Sequence, residues 1–431
     1  MKIAIKTYGC SANTADTETI TGILTTQGHQ ITTDNNADII IFNTCGVKGP
    51  TENRIINAIK QTPKTKKTII IGCLPKINIE RLKHETQYNA IAGPAIGEDI
   101  IEIINQVTNG KKITKLQQHQ KKPQLTLPKT NTNPVIRIIQ INLGCLGSCS
   151  YCAVVLARGK LQSYNIPEII QRVKTDIANG PCELWITSQD TAAYGRDIGK
   201  NLAELLQEIC KVAGDFKIRV GMMTPNLIKD IQPELIEAYK NPKIFKFLHL
   251  PIQSGDNQIL KKMHRFYTTE EFKNTITTFR NAFPNLTLST DIIVGFPGET
   301  PQAFENTLQL LKEIKPDITN ISKFFARPKT LAAEIKKDKI PPEEIKQRST
   351  ITATLTKQLS LEKNKQWEKW NGEIFIDEPG KIKGTWIGRN FAYKPIVIKN
   401  TQNIIGKTLH IQVTKTTETY LIGEQLNSNK K

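Results

Sequence analysis

No stretch of the sequence reaches the ~18 uninterrupted apolar residues of a membrane span. The opening Met1-Lys-Ile-Ala-Ile-Lys6 lacks the longer apolar core and cleavage site of a signal peptide and reads as a strand. Both absences point to a cytoplasmic protein with no membrane partner. Acidic residues are in deficit, 40 Asp+Glu against 59 Lys+Arg, for a formal net charge of +19. A field of that sign attracts polyanions, and nucleic acid is the commonest in a cytosol. An AT-rich genome inflates lysine, isoleucine and asparagine by itself, so the charge needs the support of a domain. Eight cysteines in a reducing compartment argue for metal ligation or catalysis before disulfides. With 431 residues, 38% of them hydrophobic, the chain can build two or three domains, each with its own core.

The chain is organised around Cys145-Leu-Gly-Ser-Cys149-Ser-Tyr-Cys152, which ends the apolar run 135–144. Cysteines spaced C-x3-C-x2-C ligate three irons of a 4Fe-4S cluster and leave the fourth open to a small molecule. Zinc would ask for a fourth Cys or His nearby, and the next dozen residues hold none. An open iron suits S-adenosylmethionine (SAM), which chelates through its amino and carboxylate groups. The run resembles the motif of radical-SAM enzymes, in which an aromatic before the last cysteine, here Tyr151, lies against the adenine.

Over residues 1–108 three short apolar runs each end in a cysteine: Lys2-Ile-Ala-Ile-Lys-Thr-Tyr-Gly-Cys10, Asp38-Ile-Ile-Ile-Phe-Asn-Thr-Cys45 and Thr68-Ile-Ile-Ile-Gly-Cys73. Helical text follows at 13–24, at about 51–60 and beyond Pro75. Strand, turn and helix, repeated, predict a parallel sheet with helices on its faces. The carboxyl ends of parallel strands share one edge, so Cys10, Cys45 and Cys73 converge there. Three convergent thiols suggest a second 4Fe-4S cluster, again with one open iron. A single such cysteine would read as a small buried hydrophobe, but three at one structural position make coincidence the minor option.

Residues 111–129 hold two prolines, no acidic residue and no clear periodicity, so 109–133 reads as a basic linker, solvated or tracking phosphates. From 134 to 366, strand candidates at 135–143, 183–188, 217–223, 244–252, 287–296 and 318–325 alternate with amphipathic helices such as 167–178, 202–212 and 301–314. Six βα units predict a partial barrel of TIM type with its chemistry at the carboxyl ends of the strands. Candidate cofactor contacts fall there: Ser188, Gln189 and Asp190 after the second strand, Gln253 and Ser254 after the fourth, Asp291 and Gly295 on the fifth. Arg158, six residues past the last cysteine, is a candidate for the SAM carboxylate or a substrate phosphate. His249 and His264 read as packing or hydrogen-bonding groups, and Cys182 and Cys210 as structural.

Five short strands within 367–429 predict a small OB-like barrel. Trp386, Arg389, Phe391 and Tyr393 gather around one turn, a set suited to a stacked base and its phosphates. A small barrel also needs aromatics for its own core, and part of that set serves it.

The chain as a whole, an α/β protein of three domains, resembles the methylthiotransferase family of radical-SAM enzymes over essentially its full length. The blocks that carry the likeness are Arg158-Gly-Lys-Leu-Gln-Ser163, Leu250-Pro-Ile-Gln-Ser-Gly255, Met263-His-Arg-Phe-Tyr-Thr268, Thr290-Asp-Ile-Ile-Val-Gly-Phe-Pro-Gly-Glu299 and Arg327-Pro-Lys-Thr330. Tyr164 and Lys329 depart from the usual arginine and glycine, on the substrate side. Ser188-Gln-Asp-Thr-Ala-Ala-Tyr-Gly-Arg-Asp197 is similar to the text of the archaeal and eukaryotic branch, which methylthiolates N6-threonylcarbamoyladenosine at position 37 beside the tRNA anticodon. The last domain is similar to the TRAM RNA-binding domain, with Gly388-Arg-Asn390 in its usual loop.

The resemblance implies an auxiliary cluster on Cys10, Cys45 and Cys73 and a radical-SAM cluster on Cys145, Cys149 and Cys152. It also implies SAM as both methyl donor and radical source, tRNA as substrate, external sulfur and electron donors, and a monomer. Two rivals are weighed against it. A methylthiotransferase acting on another tRNA adenosine or a ribosomal-protein side chain would carry different text at 188–197. A non-catalytic iron–sulfur RNA-binding sensor would not need the SAM-contacting blocks.

Overall fold

The computed structural model describes residues 1–46, 49–116 and 122–426. The N-terminal domain is a six-stranded parallel sheet in the spatial order Gln30–Ile31, Lys2–Thr7, Ile39–Thr44, Lys67–Gly72, Ala90–Ala92, Ile113–Lys115. The central strand Ile39–Thr44 is buried along its whole length, as its unbroken apolar run requires. Alternate side chains serve two cores: Ile39 and Ile41 meet Ile20, Ile23 and Ile103 on one face, and Ile40 and Phe42 meet Ile55, Ile56 and Ile59 on the other.

The sixth strand, Ile113–Lys115, lies inside the segment expected to be a linker. The chain from 122 to 133 is packed as well. Lys129 is 5% exposed and pairs with Glu18 at 3.0 Å, and Thr132 donates to Glu18 through both its N–H (2.9 Å) and its hydroxyl (2.8 Å). Leu125 and Leu127 pack onto the barrel and the sheet cores respectively, so the solvated reading does not hold for the described part. Residues 117–121 of that segment lie outside the described residues.

The central domain carries two three-stranded parallel sheets, Phe216–Val220 / Cys182–Thr187 / Ile136–Gln140 and Phe247–His249 / Thr287–Val294 / Ile318–Lys323. A parallel bridge between Ile218 and Ile244 joins them into six strands in barrel order. The fourth strand is shorter than the expected 244–252, because Pro251 has no N–H to give and Gln253 turns the chain with φ 74°. Both edges of this open barrel are covered. Helix Ser11–Thr26 packs on the edge strand Ile136–Gln140, and helix Pro342–Lys365 packs on Ile318–Lys323. That second helix buries Thr352, Thr356, Ser360 and Asn364 where an ordinary amphipathic helix would bury aliphatics, which hides its stripe from a periodicity reading.

The C-terminal domain is a closed five-stranded barrel in the order Asn371–Pro379, Thr385–Arg389, Pro395–Lys399, Leu421–Gln425, Thr408–Thr416. Its core is built from Ile374, Ile376, Ile396, Ile398, Ile411 and Val413. Among the described residues no helix is long and apolar enough to cross a membrane.

Candidate active site

Three neighbouring parallel strands of the N-terminal sheet end at Cys10, Cys45 and Cys73, which brings the three thiols to one rim. Glycine permits the approach. A Cβ on Gly9 (φ +138°) would come within 3.1 Å of Cys45 Cβ, and one on Gly72 (φ +100°) within 2.4 Å of the Thr44 carbonyl oxygen. Beneath the rim, Asn13 accepts from Cys10 Sγ at 3.6 Å and donates to Asn43 Oδ1 at 3.2 Å and to the Thr44 carbonyl at 3.1 Å. Burial pushes the Cys73 thiol up to about 11, against the pull of Arg158.

Arg158 belongs to this rim and not to the SAM carboxylate or a substrate phosphate as expected. Its side chain is 2% exposed; Nη2 donates to Asp16 Oδ2 at 2.7 Å and Asn13 Oδ1 at 3.2 Å. The buried Nη1 has no N or O partner among the described residues, and the guanidinium stands beside Cys73 and Cys10. An N–H group turned to sulfur and to no oxygen, next to two cysteines, fits an anionic iron–sulfur cluster, which would accept from it.

The second set of cysteines fits a cluster for the same kind of reason. Each sulfur receives one N–H: Gly147 donates to Cys145 Sγ at 3.2 Å, Arg265 Nη1 to Cys149 Sγ at 3.3 Å, and Val154 to Cys152 Sγ at 3.4 Å. Burial holds Cys145 at about 11 and Cys152 at about 12, so as free thiols they are neutral and iron must displace their protons. Among the described residues no three Cys, His, Asp or Glu side chains could hold one shared metal ion. Cluster ligands differ in that each binds its own iron. The two cysteine sets meet through short helices: Cys73 and Ile77 pack against Ala153 and Ala157.

A cavity of about 860 Å³ opens at the carboxyl ends of the barrel strands. It is lined by Cys145, Cys149, Tyr151 and Cys152, by Gln189, Asp190, Gln253 and Asp291, and by Gly49 and Pro50 at the start of helix Gly49–Lys60. Asp190 is buried, accepts from the N–H groups of Ala192 and Thr224 (both 3.1 Å), and burial raises its carboxyl. Gln189 Oε1 accepts from Gly144 N–H at 2.8 Å and so braces the cysteine loop. Asp291 takes both oxygens to His249 Nε2 at 3.2 Å and accepts from Asn320 Nδ2 at 2.7 Å. His249 is thus a hydrogen-bonding group, as read from the sequence.

The sequence compares with known proteins along its entire length. The Radical SAM superfamily matches residues 139–311, the TRAM domain 373–426, and an uncharacterized protein family, UPF0004, residues 2–93. A probable threonylcarbamoyladenosine tRNA methylthiotransferase of Pyrococcus horikoshii is 40% identical over 98% of this chain and 99% of its own. The human threonylcarbamoyladenosine tRNA methylthiotransferase is 33% identical over 100% of this chain and 75% of its own. The chain belongs to the threonylcarbamoyladenosine tRNA methylthiotransferase family. Among solved structures the radical SAM methyltransferase TsrM from Kitasatospora setae matches with a TM-score of 0.55 at 11% identity, over 77% of this chain and 73% of that one, a likeness of fold. Membership brings two 4Fe-4S clusters and SAM as cofactors of an enzyme of this type.

Within this threonylcarbamoyladenosine tRNA methylthiotransferase fold, several expected site residues stand elsewhere. Ser254 is fully buried and accepts from Asp256 N–H at 3.3 Å, away from the cavity lining. Gly295 (φ +79°) faces helix Pro342–Lys365, where a Cβ would lie 2.5 Å from Ile345 Cγ1, so its glycine serves packing. Ser188 accepts from Asp190 N–H at 3.1 Å and shapes the turn rather than lining the cavity. In the C-terminal barrel, Tyr393 is 7% exposed and its ring packs on Phe245 and Phe247 of the central domain at 4.9 and 5.2 Å. Arg389 pairs with Asp377 at 2.8 Å beside Glu183. Both therefore build the interface between domains instead of an RNA surface. Trp386 is half-buried, donating to the Asn400 carbonyl at 3.1 Å, while Phe391 stays 44% exposed beside Trp367 and Trp370.

Sequence reading passed over two partners of the site. Arg265 had no signal beyond its block, because its contact with Cys149 spans 116 residues. Glu52, which binds Arg327 at 2.7 Å, Arg81 at 2.9 Å and Asn78 at 2.9 Å, lies on an otherwise ordinary amphipathic helix.

Proposed function

We propose that the protein methylthiolates carbon 2 of N6-threonylcarbamoyladenosine at position 37 of tRNA, giving 2-methylthio-N6-threonylcarbamoyladenosine. One observation carries the reading: a single cavity is bounded by the C-x3-C-x2-C cysteines and by Gly49 and Pro50, which open the helix that follows Cys45. An adenine C2–H has no useful acidity, so the bond asks for radical chemistry, which SAM and the clusters supply when bound. The chain's own residues position and shield. Cys10, Cys45 and Cys73 hold one cluster and Cys145, Cys149 and Cys152 the other, with Tyr151, Gln189, Asp190, Gln253 and Asp291 around SAM. The target base is splayed from the anticodon loop into the cavity, as enzymes acting on bases require.

The threonylcarbamoyl group brings a carboxylate that needs a cationic partner. Arg158 is committed to Asp16 and Arg327 to Glu52. Lys323 lines the cavity and is exposed, with no acidic partner among the described residues, and we assign the carboxylate to it. Sulfur and electrons come from external donors, and the enzyme works as a monomer of three units, 1–108, 134–366 and 367–429, the last three of those residues outside the described part.

The test is nucleoside mass spectrometry of tRNA incubated anaerobically with reconstituted protein, SAM, sulfide and reductant, beside a Cys45→Ala variant. The expected product appears with wild type and not with the variant. SAM cleavage without any modified nucleoside would keep the radical chemistry and remove the tRNA assignment.

A further inference from the structure

The mouth of the cavity carries large apolar side chains that face solvent. Phe266 is 69% exposed, Leu146 49% and Phe325 48%, and all three line it. Phe325 has its occupation within the fold, since Arg327 stacks on it at 4.7 Å and Gly49 abuts its ring. Phe266 has no ring partner among the described residues.

Its exposure is not slack in the loop. Met263 on one side is fully buried against Ile259, Phe296 and Ala332, and Tyr267 on the other is 6% exposed with its hydroxyl donating toward the Pro251 and Ile252 carbonyls at 3.1 and 2.9 Å. Ser150 of the cysteine loop donates to the Met263 carbonyl through N–H (3.1 Å) and to the Lys262 carbonyl through its hydroxyl (2.8 Å). Arg265 is pinned by Tyr267, Pro251 and Cys149. His264 adopts φ 55°, the left-handed turn that throws the chain outward. The ring is therefore presented in a fixed place beside the radical-SAM cysteines. Five and four residues before it, at the end of helix Asn257–Lys262, Lys261 and Lys262 are exposed and have no acidic partner among the described residues. A rigid, solvent-facing aromatic next to unpaired cations is the arrangement that binds unpaired nucleotides, the ring by stacking and the ammonium groups through phosphate.

We propose that Phe266 is the stacking platform for an unpaired anticodon-loop nucleobase next to the reacting adenosine, with Lys261 and Lys262 on that nucleotide's phosphates. This rests on the tRNA reading above and names the surface that serves it. A base loses its neighbour when the target is splayed out, and a fixed ring replaces that lost stack at little entropic cost.

The experiment measures tRNA binding to the reconstituted holoenzyme by filter retention across a salt series, using tRNA that carries threonylcarbamoyladenosine. Wild type, Phe266→Ala, Phe266→Trp and the double variant Lys261→Gln/Lys262→Gln are compared. Phe266→Ala should raise Kd roughly 5- to 100-fold and Phe266→Trp should restore wild-type affinity. The lysine pair should lower the slope of log K on log salt by about 1.4, two phosphate contacts at a single strand. Equal binding by wild type and Phe266→Ala overturns the proposal, including the case in which the ring docks another protein. Equal losses in Phe266→Ala and Phe266→Trp also overturn it, since a merely structural ring gives that pattern. Wild-type methylthiolation of the same tRNA, followed in parallel, separates these outcomes from failure of the tRNA reading itself.

Discussion

Removing the Asp16 carboxylate tests how the N-terminal and central domains are held together. Arg158 and Asp16 are 2% and 4% exposed and meet at 2.7 Å, so water cannot replace the lost partner. An exposed pair of this kind contributes about 0–1 kcal/mol, whereas breaking a buried one costs about 3–5 kcal/mol because a charge is stranded. Gln140 Nε2 also loses its acceptor at 2.8 Å, which pushes the cost of Asp16→Ala toward the upper figure. At about 2–4 °C per kcal/mol for a body of this size, the first thermal transition should fall by roughly 6–20 °C. Asp16→Asn, which keeps an oxygen, should lose less. The decisive variant is Asp16→Ala/Arg158→Met, which removes both charges and should recover much of the loss. Scanning fluorimetry of the anaerobically reconstituted protein compares these three variants and the single Arg158→Met with wild type. A shift below about 2 °C for Asp16→Ala would refute the argument. So would a double variant whose loss equals the sum of the singles, since that leaves no interaction between the two groups.

Three further outcomes rest on the same geometry. Arg265→Gln removes the guanidinium from Cys149 Sγ and should lower the midpoint potential of the radical-SAM cluster, a tenfold change in its redox ratio corresponding to 59 mV, read by potentiometric EPR. Lys323→Met should depress kcat/KM tenfold or more on tRNA carrying threonylcarbamoyladenosine while preserving reductive SAM cleavage in the absence of tRNA; an unchanged kcat/KM removes Lys323 from substrate recognition. Burial and the neighbouring Asp377 raise the Glu183 carboxyl from 4.5 to about 8, so the native state holds a proton that the unfolded chain has lost. Stability should therefore fall as pH rises from about 4.5 to about 8 and level off above it, and Glu183→Gln should flatten that slope in denaturant titrations.

Much of this architecture is readable from local pattern. Unbroken apolar runs in the N-terminal domain and alternation with helices in the barrel are short-range signals, and they place Cys10, Cys45 and Cys73 on one rim because parallel strands share an edge. The readings that moved have long-range causes. Arg158 stands six residues from Cys152, yet its partner Asp16 is 142 residues away in another domain. Tyr393 and Arg389 look like a nucleic-acid surface because aromatic and cationic groups also serve an interface between domains. Phe266 is invisible for the opposite reason: in sequence it is an aromatic like any other, and only burial of Met263 and Tyr267 on its two sides shows that its exposure is imposed.

The contacts that join the domains share one chemistry. Arg158 with Asp16 and Arg327 with Glu52 lock the barrel to the N-terminal sheet, and Lys394 with Asp317 (2.6 Å) locks the C-terminal barrel to the central one. Most of these groups are buried, so each pair gives back much of its attraction in desolvation and adds little to stability. What such a pair does supply is geometry, since a misplaced neighbour leaves a charge stranded at several kcal/mol where a misplaced apolar contact costs a fraction of that. A reaction spread over two clusters and a splayed base demands that placement. Replacing Glu52 and Arg327 together by an apolar pair of equal volume should therefore cost only what Asn78 and Arg81 lose with their acceptor, about 1–3 kcal/mol. Methylthio transfer should nevertheless fall relative to SAM cleavage, because helix Gly49–Lys60 would no longer be fixed against the cavity that Arg327 lines. A greater loss of stability with the two activities still in proportion would show instead that these pairs act as ordinary packing.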